Sequence, residues 1–265
     1  MATVREITST PEEREAIALQ LLPVKFAQLE DLVKRSLEIS VQPGSRMAQD
    51  DKATPYDPIS FQVAHLLASA SDHLTMAKEH VEKIGLPPYA WHVLIRAALE
   101  SCALGFWLLT PGVLSKRVYR SVQFVWNNRL AADAFTKRSG AHTPETTAKL
   151  RERLDAIKNS VKGNAQRSLD REFPSTTDIL IESERCVPIQ DGFSGLDVWR
   201  ACSAFSHSNR TFALGTLERK PVARLGENAS MFRITSSYAT FVAMLNVALT
   251  YLETLLVMVE TRSKA

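Results

Sequence analysis

Apolar residues recur at helical spacing along most of the chain. The first run opens at Thr10-Pro11-Glu12-Glu13, where an N-cap residue, a proline at the first helical position and two acids favour a helix start. The pattern predicts a helix to about Ser40, which Pro23 breaks or kinks. Its apolar positions are Ile17, Leu21, Val24, Leu29, Leu32 and Leu37.

The rest of the chain alternates between helical patterns and polar, proline- or glycine-containing breaks. Residues 41–57 are polar and predict a loop, while the segment 164–178 is a polar connection. Residues 211–236 contain Gly215, Pro221 and Gly226 and a strand-like Met231–Thr235, so they predict an irregular crossover or a small hairpin. Helices are predicted over 58–84, 88–109, 112–138, 143–161, about 177–184 and 236–260, and around Arg200 within the segment 191–207.

This order of elements predicts an all-α protein: a helical bundle with a four-helix core, peripheral helices and one small hairpin. The short connections after residues 84 and 109 favour antiparallel neighbours. The helix over 143–161 has few apolar residues and is expected to cover the bundle from outside. We expect residues 1–57 to form an N-terminal helix and loop and residues 58–265 to form the bundle, in one folded unit.

Composition narrows the class of protein only modestly. The chain has 265 residues, 45% of them hydrophobic and 23% charged, which excludes a disordered or collagen-like protein. A net charge of +3 permits a polyanionic partner without requiring one. The sequence shows no signal peptide and three cysteines without CxxC or zinc-type spacing, so we expect a cytoplasmic protein.

The sequence predicts neither a metal nor a cofactor. His65, Asp72, His73 and His80 share one predicted helix but form no i, i+4 ligand pair, which favours histidines at a core edge. The chain contains no GxGxxG, P-loop, HExxH or serine-elbow motif.

Two apolar stretches are long enough to cross a membrane. Residues 238–259 contain Asn246 and Glu253, and residues 88–109 contain His92, Arg96 and Glu100. Ionisable groups at the centre of a bilayer cost about 2.5–3.5 kcal/mol each on insertion scales, so buried bundle helices are favoured and no stable membrane insertion is expected. A membrane-associated protein anchored through 238–259 remains the minor alternative.

Arg96 and Glu100 are the polar exceptions on an otherwise apolar helix. They lie at i and i+4 on one face and can pair with each other. One interpretation is a structural ion pair that ties this helix to Arg117, Tyr119 or Arg120 on the next helix. The other is a supporting role, in which Glu100 orients a catalytic or ligand-binding cation.

Arg200 and His207 form a second candidate site. Seven residues of helix return to within about 20° of the same face, with roughly 10 Å of rise. An arginine can hold a phosphate with two charge-assisted hydrogen bonds, and a histidine titrates near neutrality as a general acid or base. The alternative is structural, with His207 at a helix end, Asn209 as a cap and Arg200 in solvent. Small or polar neighbours, Ser203, Ser206 and Asn209, are the candidate substrate contacts.

The Arg-x6-His spacing resembles the Arg-x(4–6)-His motif of the HEPN superfamily, whose members are all-α bundles and often metal-independent endoribonucleases. In that family the motif lies late in the domain before a final helix, and two sites commonly meet across a homodimer. The resemblance implies that Glu100 supplies the acidic residue of the site. Ala201 departs from the family, because the residue after the arginine is usually polar in its nucleases.

A further resemblance concerns the segments LIRAALESCALGFWLLTPGV and WRACSAFSHSNR. They are similar to segments of helical proteins from bacteria, particularly actinobacteria, over roughly residues 60–260. This resemblance implies the helical architecture and no particular activity.

The sequence is compatible with two functions from different classes. The HEPN resemblance implies a ribonuclease of toxin or phage-defence type, in which His207 takes the proton of a ribose 2′-OH, Arg200 stabilises the phosphoryl oxygens, and Glu100 or Arg96 orients them. The alternative is a non-catalytic helical module that binds a nucleotide or a partner protein such as an antitoxin. The modest net charge suits a small RNA loop better than a long duplex.

Overall fold

The computed structural model describes residues 10–140, 143–188, 192–225 and 230–265. Helices dominate this part of the chain, as predicted, and a single two-stranded sheet is present within it. The elements are α1 (Pro11–Leu37), α2 (Arg46–Ala53), α3 (Ile59–Lys83), α4 (Ala90–Leu109), α5 (Leu114–Ser139), α6 (Pro144–Ser160), α7 (Thr176–Ser183), α8 (Gly195–Ser206), α9 (Arg210–Thr216), β1 (Glu218–Arg224), β2 (Ser230–Thr235) and α10 (Tyr238–Ser263).

Helix α4 forms the centre of the bundle. It packs against α3, α7, α8 and α10, and apolar side chains are buried on every side of it. Gly105 lets α10 approach closely, because a Cβ added there would lie 2.6 Å from Leu255. The prediction of a central, all-round apolar helix over 88–109 is confirmed. Its large apolar side chains that are at most 2% exposed are Trp91, Ile95, Leu99, Phe106, Leu108 and Leu109.

Helix α1 begins with the predicted cap but is not interrupted at Pro23. Thr10 and Glu13 form a reciprocal capping box, and the helix then runs to Leu37 with Pro23 inside it. Of the two effects predicted for Pro23, a break or a kink, the break is wrong. A proline removes one backbone hydrogen bond, but α1 lies along α10, where the Arg35 guanidinium binds both carboxylate oxygens of Glu260 at 3.1 Å.

The predicted loop over 41–57 contains helix α2, which the hydrophobic pattern missed. Ser45 caps the helix, and Met47 and Asp50 are fully buried. The Asp50 carboxylate accepts hydrogen bonds from Arg117 Nε and Nη2 at 2.7–3.0 Å. The pattern failed here because α2 is held by a buried ion pair and one methionine rather than by an apolar stripe.

The periphery carries a second apolar cluster and the hairpin. The one-sided helix α6 covers α5, as predicted, and Leu154 of α6 packs with Val122, Trp126 and Leu169. The segment 211–236 begins with the unpredicted helix α9 and continues as the antiparallel pair β1–β2, in which Glu218 faces Thr235. The expected small hairpin is thus confirmed.

Among the residues that the structure describes, two helices are long and apolar enough to cross a membrane, α4 and α10. In the structure, 67% of the most apolar window of α4 and 56% of that of α10 are buried inside the protein. Core helices of soluble proteins are also this long and apolar, so the length and hydropathy of α4 and α10 do not by themselves indicate membrane association.

Candidate functional site

The Arg-x6-His segment lies on α8, which is anchored tightly to the bundle at its start. Ser194 and Asp197 form a reciprocal capping box. Gly195 lies against Tyr251 of α10, where a Cβ would come within 2.1 Å of the phenol oxygen. Further along, Cys202 and Phe205 are buried. These contacts determine which face of α8 is turned to solvent.

Arg200 and His207 both lie on that exposed side of α8. His207 is the C-cap residue, with φ −95° and ψ 14°, so its backbone departs only slightly from the helix. In the described parts of the chain, neither side chain has a hydrogen-bond or ion-pair partner, and the two are not bonded to each other. They are available to a ligand, but neither side chain lines one of the concavities described below.

Glu100 does not join Arg200 and His207. Its carboxylate accepts Arg96 Nε at 2.9 Å and the indole N–H of Trp199 at 2.7 Å. The Arg96 guanidinium carbon lies 5.5 Å from the centre of the Trp199 ring. The three side chains form a half-buried cluster between α4 and α8. Trp199, the member of this cluster on α8, directly precedes Arg200.

The Arg96–Glu100 ion pair therefore forms and ties two helices together, as the structural interpretation predicted, but the predicted partners on the next helix were wrong. Neither Arg117 nor Arg120 binds Glu100. Arg117 binds Asp50, and Arg120 makes two hydrogen bonds to Glu182 at 2.7 and 2.9 Å. Long-range pairs of this kind depend on which helices are neighbours, and α8 rather than α5 lies over Glu100.

The three candidate substrate contacts have mainly local roles. Ser206 donates its hydroxyl to the carbonyl of Cys202 at 3.0 Å. The Asn209 side chain caps the start of α9 by accepting the Phe212 N–H at 3.0 Å, while its backbone N–H donates to the Ala204 carbonyl at the end of α8 at 2.9 Å. Ser203 is half-buried, and its carbonyl accepts the backbone N–H of His207 at 3.0 Å. Of the three, Ser203 alone keeps a hydroxyl without a hydrogen bond inside the described structure.

The turn after His207 borders a concavity of about 350 Å³. Ser208 adopts a left-handed backbone conformation with φ 54°, which redirects the chain from α8 into α9. Arg210 and Tyr89 form part of the wall, together with Ile234 of the hairpin. His207 itself does not line this concavity.

His92 is buried beneath α8 and serves packing. Its ring is stacked between Trp91 and Phe205, with centroid separations of 3.5 and 3.6 Å. Nδ1 lies 3.3 Å from the carbonyl oxygen of Tyr89. Burial lowers the pKa of His92 to about 4, so the ring is neutral at physiological pH.

A separate cleft, which the sequence did not predict, lies between α5 and the segment 164–178. It has a volume of about 620 Å³, and its wall includes Lys116, Arg167 and Arg171. Its residues come from segments about 50 positions apart, so no local motif signals it. In the described residues, no group of three histidine, cysteine or carboxylate side chains is arranged to hold a metal ion.

Comparisons with protein-family models, with curated proteins and with solved structures found no match to this chain. Within the described residues, the fold and the side-chain geometry define an all-α helical bundle that carries an exposed Arg–His pair and a basic cleft.

Proposed function

We propose that this protein is a metal-independent endoribonuclease of the toxin or phage-defence type, with Arg200 and His207 as its catalytic residues. The observation that carries the proposal is the exposure of both side chains on one side of α8, where neither has a hydrogen-bond or ion-pair partner among the described residues. The resemblance of the Arg-x6-His spacing to the HEPN motif supports it. We further propose a cytoplasmic location.

In the proposed reaction, the imidazole of His207 accepts the proton of a ribose 2′-OH. The 2′ oxygen attacks the adjacent phosphorus, the bond from phosphorus to the 5′ oxygen breaks, and that oxygen leaves with a proton from water. The Arg200 guanidinium binds the non-bridging oxygens as negative charge builds on them. The products are a 2′,3′-cyclic phosphate and a free 5′-hydroxyl.

Glu100 acts in this proposal as a positioning residue. By holding the indole of Trp199, it supports the first half of α8 and hence the direction of Arg200. Because the exposed side of α8 is open, we propose that a homodimer completes the site. Facing copies of α8 would exclude water from the reacting phosphate and strengthen its electrostatic contacts.

The decisive experiment measures RNA cleavage in the presence of EDTA. Wild type is compared with His207→Ala and Arg200→Ala on a single-stranded RNA that carries a stem–loop. The matched controls are His65→Ala and Arg185→Ala, which remove an exposed histidine and an exposed arginine elsewhere. We expect a loss of at least about 100-fold in each α8 variant and unchanged cleavage in the controls. Equal cleavage by all five proteins, or none by any, would overturn the nuclease.

A second candidate function is a non-catalytic module that binds a nucleotide or a partner protein such as an antitoxin. The commitment of the Glu100 carboxylate to Trp199 and Arg96 favours it, since this carboxylate makes no hydrogen bond to Arg200 or His207 in the described structure. This function predicts retained ligand binding without RNA turnover in the same assay.

A further inference from the structure

We propose that the cleft between α5 and the segment 164–178 binds a nucleoside phosphate. This site lies apart from Arg200 and His207 and does not rest on the proposed nuclease activity. Its volume of about 620 Å³ is in the range of small-molecule sites. The lining residues that carry the argument are Lys116, Tyr119, Arg167, Arg171, Glu172 and Phe173.

The cleft is held open by side chains that fasten the irregular segment to its neighbours. Asn164 and Gln123 are buried; Asn164 of the segment donates its amide N–H to a backbone carbonyl of α5, and Gln123 of α5 donates to a backbone carbonyl of the segment. Such contacts fix the segment before any ligand arrives, which reduces the entropy lost on binding. The anchoring hydrogen bonds are Asn164 Nδ2 to Ser115 O at 2.7 Å, Tyr119 Oη to Ser168 O at 2.8 Å, Gln123 Nε2 to Arg171 O at 3.2 Å and Lys158 Nζ to Arg167 O at 2.5 Å.

Three cations in the wall of this cleft have no carboxylate partner in the described structure: Lys116, Arg167 and Arg171. The fourth, Arg120, is neutralised by two hydrogen bonds to Glu182. The Arg167 guanidinium is held 4.9 Å from the centre of the Tyr119 ring, which orients its edge without consuming its N–H donors. Oriented guanidinium and ammonium groups without counter-ions are suited to phosphate oxygens.

The acids in the wall reduce this positive field without cancelling it. Asp178 is committed to the N-terminus of α7, where its carboxylate accepts the Ser175 hydroxyl at 2.6 Å. Glu172 is exposed and has no side-chain hydrogen bond in the described structure. Three unpaired cations thus face one unpaired carboxylate, a balance that suits one to three phosphates rather than a long polyanion.

An apolar wall beside the cations distinguishes a nucleotide from inorganic phosphate. Phe173 is half-buried, and its ring packs edge-on against Trp107 at 5.1 Å between centroids. Aromatic side chains of this kind stack with nucleobases, with a typical contribution of about 1–3 kcal/mol per base. Phosphate would lie against Arg167 and Lys116, and the base against Phe173.

The test is isothermal titration calorimetry of the full chain with ADP, GDP, CDP and UDP in separate experiments. Adenosine and pyrophosphate serve as ligand controls. We expect Lys116→Gln and Arg167→Gln each to weaken binding of the best diphosphate about tenfold, since each removes one charge-assisted contact worth about 1.4 kcal/mol. Lys149→Gln removes an exposed lysine of α6 outside the cleft and should leave affinity unchanged.

A variant that is expected to tighten binding controls for variants that lose binding only because they misfold. Glu172→Gln removes the opposing carboxylate and should tighten binding severalfold, with an unchanged circular dichroism spectrum. His207→Ala should bind like wild type, so failure of the nuclease and failure of this cleft are separable. The proposal is overturned if no diphosphate binds at millimolar concentration, if Lys149→Gln weakens binding as much as Lys116→Gln, or if pyrophosphate or adenosine binds as tightly as the diphosphate.

Discussion

The carboxylate of Glu100 on α4 accepts the indole N–H of Trp199 on α8 at 2.7 Å. The same oxygen also accepts Arg96 Nε at 2.9 Å, so one atom connects the central helix to the helix that carries Arg200 and His207. The acidic residue for which the sequence suggested a supporting role in the candidate site is thereby committed to holding two helices together. We therefore expect substitution of Glu100 to act mainly by changing the packing of α8 against α4.

We expect Glu100→Ala to lower the free energy of unfolding by about 1–3 kcal/mol, because a half-buried indole N–H and the Arg96 guanidinium lose their shared acceptor. Glu100→Gln keeps an acceptor oxygen and should lose clearly less. Urea denaturation followed by tryptophan fluorescence measures both. A Glu100→Ala protein as stable as wild type would contradict the fastening role.

Asp50→Ala should be among the most destabilising substitutions in the protein, at about 3–5 kcal/mol. It would leave the buried guanidinium of Arg117 without its carboxylate, and it would also remove the anion 3.6 Å from Arg262 Nη1. The matched control is Glu79→Ala, which breaks the exposed Lys83–Glu79 pair and should cost less than about 1 kcal/mol. Thermal and urea unfolding of both variants test this. Similar losses of unfolding free energy in the two variants would show that the buried Asp50 pair stabilises the protein no more than an exposed ion pair does.

The buried ring of His92 should make stability depend on pH. Its pKa is about 4 in the folded protein, below the usual value near 6.5, so the unfolded chain takes up the proton first as the pH falls. The contribution is complete above about pH 6.5 and is lost as the pH falls towards 4. Between pH 7.5 and 5.0, the loss should be about 2 kcal/mol.

The variant His92→Phe keeps the stack on Trp91 and Phe205 but cannot titrate. Its unfolding free energy should therefore fall about 2 kcal/mol less than that of wild type over the same pH interval. Urea titrations of both proteins at pH 7.5 and 5.0 provide the comparison. Parallel pH profiles would rule out His92 as the source.

Gly195→Ala should destabilise the protein by about 1–3 kcal/mol through overpacking. The added Cβ would lie 2.1 Å from Tyr251 Oη and 2.2 Å from Cζ, so either α8 or the ring of Tyr251 must move. Gly112→Ala is the control, since a Cβ there meets nothing within 4 Å. Calorimetric melting temperatures distinguish the two. If Gly195→Ala melts like the control, α8 and α10 are not in close contact.

The local signals of the sequence were reliable where their physical cause is local. The capping box at Thr10 and Glu13 and the all-round apolar pattern of 88–109 were both confirmed, because a cap and a helical period involve residues within a few positions of each other. Pro23 shows the limit of this reasoning. Its local cost predicted a break or a kink, and the helix is not broken there, where α1 packs along α10.

The candidate site divides in the same way. The sequence placed Arg200 and His207 on one side of a helix, because that relation follows from helical geometry alone. It could not show that Glu100 turns to Trp199, which lies 99 positions away, or that Arg120 turns to Glu182. Both outcomes depend on which helices become neighbours.

By itself, then, the amino-acid sequence determined the helical class of this protein, most of its helix boundaries and the spacing of its Arg–His pair. Tertiary structure alone decided that the polar segment 46–53 becomes a helix over a buried Asp50, that Glu100 fastens α8, and that three unpaired cations meet in one cleft. The reason is physical: periodicity and capping arise from neighbours along the chain, whereas the partner of a buried charge is set by packing between distant segments.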